Sequence, residues 1–170
     1  EMHNSGYVDF QSHSMSHPAI FISPKLIDFY HPGLAHKKPW SIPDVSGENH
    51  PPELGAPLFK SGSRFCDKKR FLPDEKLVIN CINHVRENGG ENFFAKKNWR
   101  RELVSMIKNG NKNPGKFETE HEQASQIFKE IHKSKLIIEA KLSKTVSHFA
   151  FPWNQVGILA SGLLAKAGYT

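Results

Sequence analysis

The sequence lacks the features that mark several large classes of protein. Its 170 residues include only two cysteines, and charged residues, proline or glycine interrupt every hydrophobic stretch. Two cysteines are too few for a disulfide framework, so Cys66 and Cys81 are predicted to be packing residues and the cellular compartment stays open. No window reaches the roughly 18–20 uninterrupted apolar residues of a membrane span. The composition, 38% hydrophobic and 24% charged, is that of a globular domain and excludes collagen and coiled coil.

The charge balance is basic, which raises the question of an anionic partner. Lysine and arginine outnumber aspartate and glutamate by 23 to 17, giving a net charge of +6. The basic clusters at residues 37–38, 68–70 and 96–101 lie apart from one another, in loop-like or acid-containing sequence. This distribution is typical of a solvated surface. We therefore expect no nucleic-acid partner, whose binding would weaken steeply with salt.

Hydrophobic spacing predicts strands and helices around a long irregular segment. The predicted elements, in chain order, are a strand over residues 8–12, an irregular proline-rich segment over 31–73, helices over 74–88 and 97–108, a long helix after Thr119, a strand over 146–151 and a helix after Pro152. Thr119 and Glu122 form a capping box at the start of the long helix. The order helix, strand, helix predicts parallel strands covered by helices.

Two histidines four residues apart form the strongest local signal. His13 and His17 lie in Ser12-His13-Ser14-Met15-Ser16-His17-Pro18, directly after a predicted strand. A residue before proline is pushed out of the helical region, so this segment is predicted to be a loop that leaves the strand. Two imidazoles on one turn can share a zinc-class ion. A divalent-metal site is one hypothesis, and a pair of exposed or loop-capping histidines is the other.

The second signal is an aromatic strand that ends abruptly at a proline. Residues 148–154 read His-Phe-Ala-Phe-Pro-Trp-Asn and are followed by a helical pattern. A strand that runs into a turn leaves backbone N–H groups pointing outward, and such donors can stabilise an oxyanion. The alternative is a buried strand with Phe149 and Phe151 in the core and Trp153 covering its edge.

Taken together and in this order, the two motifs resemble the polysaccharide deacetylases, the superfamily of chitin and peptidoglycan deacetylases, whose metal-binding stretch reads His-Ser/Thr-x-x-His. Residues 134–142 are similar to the family's helix, residues 146–153 to its aromatic-Pro-Tyr-Gly strand end, and Ala167-Gly168-Tyr169 to its next helix. The resemblance covers residues 1–30 and 117–170. Residues 31–116 are then an insertion within the same domain.

The resemblance implies both a fold and an activity. The implied fold is α/β, a partial distorted (β/α) barrel with parallel strands and a mostly helical or irregular insertion, with its site at the carboxyl ends of the strands. A divalent metal, most often zinc, would be held by one Asp and two histidines, here His13 and His17. The backbone N–H of Trp153 would help to hold the oxyanion. The implied reaction is the hydrolytic removal of acetyl from an N-acetylated sugar or polysaccharide.

Three features of the chain depart from the family's pattern. No Asp-Asp pair occurs in the sequence, so neither the metal-binding Asp nor the base Asp has a position here. The family's acid histidine lies downstream of the residues present. Trp153 and Asn154 stand where Tyr and Gly are typical, and Ala150 stands where many members have Arg. We therefore expect a central fragment of a longer enzyme, inactive in isolation; the alternative is a non-catalytic carbohydrate-binding relative.

The implied insertion, residues 31–116, also holds polar and aromatic residues. Long irregular segments often serve as lids, and two interpretations stay open for these side chains, a lid over the sugar or scaffolding. The residues concerned are Trp40, Asp44, Glu48, His50 and Arg64. The histidines His31, His36 and His50 follow one another at spacings of five and fourteen residues, which match no metal-ligand pattern.

Overall fold

The computed structural model describes residues 5–34, 52–109 and 114–170, together with Met2 and Pro43. The strands and α-helices of these residues are β1 (Ala19–Phe29), β2 (Pro57–Ser63), β3 (Phe71–Pro73), α1 (Glu75–Glu87), α2 (Trp99–Asn109), β4 (Gly115–Phe117), α3 (Glu120–Leu142) and α4 (Ile158–Lys166). Short 3-10 helices span Pro32–Leu34, Gly90–Ala95 and Pro152–Asn154. None of the helices in the described residues has the length and apolar content to cross a membrane.

The strands form two small sheets, and both are antiparallel. β3 pairs with β4 so that Phe71 lies opposite Phe117 and Pro73 lies opposite Gly115. β1 pairs with β2. Tyr30, directly after β1, donates its N–H to the carbonyl oxygen of Ala56, directly before β2, at 2.8 Å. The end of β1 therefore lies beside the start of β2.

The predicted partial (β/α) barrel with parallel strands is therefore wrong. The alternation of helices and strands in the sequence does not determine which strands pair. A single crossover helix returns the chain to pair in parallel, but two helices, α1 and α2, lie between β3 and β4, and the second reverses the direction again. The predicted strands over 8–12 and 146–151 are reduced to one isolated parallel bridge, between Ser12 and Phe149.

The predicted helices are confirmed, because their signals are local. The Asp74 carboxylate accepts the N–H of Leu77 at the start of α1. The capping box of Thr119 and Glu122 is present in both directions at the start of α3. Gly168 follows α4 with a φ of 77°, as expected for a glycine that ends a helix.

The chain divides into two compact units, each with its own core. Unit 1 comprises Glu1–Pro18, Ser63–Lys69 and Thr119–Thr170, and unit 2 comprises Ala19–Gly62 and Arg70–Glu118. The fully buried core of unit 1 contains Phe65, Ile127, Ile131, Val146 and Ala160. The largest core cluster of unit 2 contains Phe29, Cys81, Val85, Phe93 and Leu103. The assignment of residues 31–116 as an insertion into a deacetylase domain stays a prediction.

The two cysteines are free thiols, and Cys81 confirms the predicted packing role. Only 1% of Cys81 is exposed, and this burial raises the pKa of its thiol to about 11. The thiolate that reacts or binds metal is therefore strongly disfavoured at Cys81. Cys66 is half-buried.

Candidate functional site

The two sequence motifs lie side by side in unit 1. Ser12 donates its N–H to the carbonyl oxygen of His148 at 3.2 Å, and Ala150 donates its N–H to the carbonyl oxygen of Ser12 at 2.9 Å. These bonds form the parallel bridge between Ser12 and Phe149. Because both segments run in the same direction, the loop over residues 13–17 and the turn that begins at Pro152 leave the bridge at the same end.

The imidazole rings of His13 and His17 lie close enough to share one ion. Their centroids are 5.1 Å apart. Two imidazoles that bind one zinc ion at about 2.0–2.1 Å with a near-tetrahedral angle have their centroids roughly 5 Å apart. The Nδ1 atom of His13 lies 2.9 Å from the carbonyl oxygen of Ala150, so Nδ1 carries the proton and Nε2 presents its lone pair. Metal-binding histidines use this arrangement to set their tautomer and orientation.

His17 has a buried nitrogen without a partner. Its ring contacts the Trp153 ring edge to face, with centroids 4.1 Å apart. Its Nδ1 atom is buried and makes no hydrogen bond to any described residue. Leaving a buried polar atom unpaired costs about 1–3 kcal/mol. The ring is thus held next to His13 at a cost in stability that a cation or a further acceptor would remove.

The backbone of both loops is in a rarely adopted conformation. Five non-glycine residues of the described chain have positive φ, and four of them lie here: Ser14 at 70°, and His17, Trp153 and Asn154 at 53° each. The fifth, Ser143, ends α3. Such conformations cost of order 1–3 kcal/mol each and cluster at functional sites. Asparagine, the residue at position 154, is among the residues that tolerate positive φ best.

The turn after Pro152 presents one free backbone donor. Asn154 and Gln155 donate their N–H groups to the carbonyl oxygens of Phe151 and Pro152, at 3.2 Å each, and proline has no N–H. The N–H of Trp153 has no acceptor among the described residues. The Trp153 side chain is 42% exposed, so the turn lies at the surface of unit 1.

The histidine loop is fastened to the long helix α3 by Glu130. One carboxylate oxygen of Glu130 accepts the N–H groups of Met15 and Ser16, at 3.2 and 3.0 Å. The other accepts the hydroxyl of Ser16 at 2.9 Å. Within the loop, Ser14 Oγ accepts the N–H of His17 at 2.9 Å. The residues between the two histidines are thereby held at both the backbone and the side chain.

Buried hydrogen bonds fix the start of the same loop. The hydroxyl of Tyr169 lies 2.8 Å from Ser12 Oγ and 3.0 Å from the carbonyl oxygen of Ile131. Only 1% of Ser12 and 7% of Tyr169 is exposed. Upstream, Asp9 is hydrogen-bonded to the Lys144 ammonium, and this bond lowers the pKa of the Asp9 carboxyl. The segment that precedes His13 is thus held by the bond of Ser12 to Tyr169 and by the bond of Asp9 to Lys144.

The donor chemistry of the pair fits a divalent metal, but the pair is only part of a ligand set. Two imidazoles are suitable zinc ligands, and the tautomer of His13 and the unpartnered nitrogen of His17 agree with that use. A zinc site has three or four protein ligands. In the described part of the chain no third His, Cys, Asp or Glu joins the histidines. The site is therefore a two-histidine half-site.

The remaining predicted residues lie elsewhere or outside the described part. Arg64 is only 4% exposed, as a scaffolding role requires. His31 belongs to unit 2, where its ring lies 5.3 Å from that of Trp99. The residues outside the described part are His36, Trp40, Asp44, Glu48 and His50.

Sequence reasoning missed Glu130, because it is one of many charged residues on α3 and no spacing rule relates it to the histidines. Tyr169 belongs to the quoted Ala-Gly-Tyr motif, but its bond to Ser12 is not visible in the sequence. No protein-family model, curated protein or solved structure matches the chain.

Proposed function

We propose that this chain carries the metal-binding part of a deacetylase-type hydrolase that removes acetyl from an N-acetylated sugar or polysaccharide. One observation carries the proposal. His13, His17 and Trp153 lie on two loops that leave the same bridge. The His13 ring lies next to the His17 ring, and the His17 ring contacts the Trp153 ring. The motif resemblance supports the same conclusion.

The two histidines would hold a divalent ion, zinc by preference. A bound ion supplies Lewis-acid chemistry, which polarises an acetyl carbonyl and activates water. His13 contributes Nε2, because Ala150 holds its other nitrogen. The His17 ring contacts the Trp153 ring, so the ring that would hold the ion lies against the turn that would donate to the substrate.

Trp153 would act through its backbone. As water adds to the acetyl carbonyl, negative charge develops on the carbonyl oxygen, and a fixed N–H donor at that point lowers the barrier. The neighbouring N–H groups of the turn are already used within it, so the turn is preorganised. The base and the acid of the reaction are not assigned to residues of this chain.

Zinc titration by calorimetry tests the metal site directly. We expect one zinc ion per chain. His13→Ala and His17→Ala should each weaken binding by more than the roughly 10- to 100-fold that loss of an outer-shell partner costs. His121→Ala is the matched control, because His121 is exposed at the start of α3, and it should leave zinc affinity unchanged. Equal affinity in the His13→Ala, His17→Ala double variant and in the control would contradict the proposal.

Product binding tests the second half of the site. With zinc present, acetate should shift the NMR signal of the Trp153 amide, and the shift should vanish in the His13→Ala, His17→Ala double variant. If N-acetylglucosamine oligomers bind equally well without zinc and to the double variant, the result would instead favour a non-catalytic carbohydrate-binding protein. Release of acetate from these oligomers by the isolated chain would show that a base is present in it after all.

A further inference from the structure

We propose that Glu130 is a positioning residue for the two histidines, an inference that rests on the proposed function of this site. Its carboxylate holds the loop between His13 and His17 so that both imidazoles are arranged for one ion before the ion binds. Glu130 does not touch the ion in this proposal. It acts through the backbone of Met15 and Ser16.

Glu130 stands on a rigid element. It lies within α3, a helix of 23 residues. Its neighbour in the chain, Ile131, is fully buried in the core of unit 1, as is Ile127 one turn earlier. The backbone at Glu130 is therefore held by the core, whereas none of residues 13–17 is classed as buried.

The carboxylate matches what the loop presents. Met15 and Ser16 offer two backbone N–H groups and one hydroxyl within 3.2 Å of the two oxygens. An ionised carboxylate is an acceptor only, with room for about four donors. Bonds from N–H groups to a charged acceptor are roughly twice as strong as neutral ones. Two such bonds and the bond from the Ser16 hydroxyl connect Glu130 to the loop that has the positive φ angles at Ser14 and His17.

The position of the bonds also matters for the metal. Met15 and Ser16 lie between the two histidines, so a carboxylate that fixes their backbone sets the distance from one imidazole to the other. Partners that orient metal ligands in this way typically contribute 10- to 100-fold to metal affinity. Without the Glu130 carboxylate, both histidines are still present, but the distance between their rings is no longer fixed.

Zinc titration of the full chain tests the proposal with three variants. Glu130→Ala should weaken zinc binding by about 10- to 100-fold. Glu130→Gln keeps an oxygen for the two N–H groups and an amide that the Ser16 hydroxyl can accept, so it should stay within about threefold of the unmodified chain. Glu120→Ala is the control on the same helix, since that side chain is 89% exposed, and it should have no effect.

Measurements without metal separate this proposal from the proposed function. In Glu130→Ala the amide protons of Met15 and Ser16 should exchange at least tenfold faster, and the NOE between the His13 and His17 rings should weaken. If the unmodified chain binds no zinc, the proposed function fails, and the NOE alone decides whether Glu130 positions the rings. Circular dichroism checks the fold, and Ser16→Ala, which removes one of the three donors, is the milder variant should Glu130→Ala unfold.

Two results would overturn the proposal. One is zinc affinity in Glu130→Ala equal to that of Glu120→Ala. The other is an unchanged NOE and unchanged amide exchange in Glu130→Ala, which would show that the loop holds its own shape.

Discussion

Two pairs of histidines in this protein differ in how their ring nitrogens are used. In unit 2, His31 Nδ1 accepts the N–H of Gly33 at 3.1 Å, and its Nε2 lies 3.7 Å from the Asp28 carboxylate. His84 Nε2 lies 3.5 Å from Glu102. In unit 1, counting only partners in the part of the chain that the structure describes, His13 uses one nitrogen, and the buried Nδ1 of His17 has no partner.

Under the proposed function, this difference distinguishes histidines that support the fold from histidines that bind a ligand. The partners of His31 and His84 lie in the same unit as the two histidines. Neither histidine has a positive φ. His17 combines an unpaired nitrogen with a positive φ, and a fold that retains both loses stability at that point. Such a loss is expected where a site serves binding rather than folding. Three substitutions test this contrast, from the largest expected effect to the smallest.

The largest effect is expected for His17→Asn. Asparagine tolerates the φ of 53°, and it replaces a ring whose buried Nδ1 already has no partner among the described residues, so no hydrogen bond of that nitrogen is lost and the free energy of unfolding should stay within about 0.5 kcal/mol. Zinc affinity should fall by at least about 100-fold, because one of two ligands is gone. Urea unfolding and zinc calorimetry measure the two quantities. A loss of stability above about 1 kcal/mol with zinc affinity retained would reverse the assignment.

The opposite result is expected for His31→Ala. The substitution removes the acceptor for the Gly33 N–H and the ring that packs near Trp99. We expect the free energy of unfolding to fall by about 1–2 kcal/mol, and zinc affinity to stay unchanged. The same two measurements apply, and a change in zinc affinity would show that the histidines of unit 2 take part in metal binding.

The smallest effect is expected for Asn154→Gly. Glycine adopts positive φ without strain, so relief of the Asn154 conformation should raise the free energy of unfolding by about 0.5 kcal/mol. Ser143→Gly, at the end of α3 with a φ of 49°, is the matched control and should give a similar gain. Thermal unfolding compares them. If Asn154→Gly instead destabilises the protein, the asparagine side chain supports the turn.

The sequence predicted the local elements better than the way in which the strands pair. The histidine loop, the turn after Pro152 and the helices follow from proline placement, capping and periodicity, which act over a few residues. The predicted barrel is wrong because the relative direction of paired strands depends on contacts between segments that are distant in the sequence. The strands predicted over residues 8–12 and 146–151 survive only as the Ser12–Phe149 bridge.

The sequence by itself determined the helices and their caps, since these depend on neighbouring side chains and backbone sterics. It also placed a loop before Pro18, but the positive φ of His17, 53°, differs from the extended conformation that a following proline favours. Only the tertiary structure decided which strands pair, and that Glu130 reaches Ser16 across 114 residues of sequence. The reason is physical: hydrogen bonds between remote segments form only once packing of the core has brought those segments together.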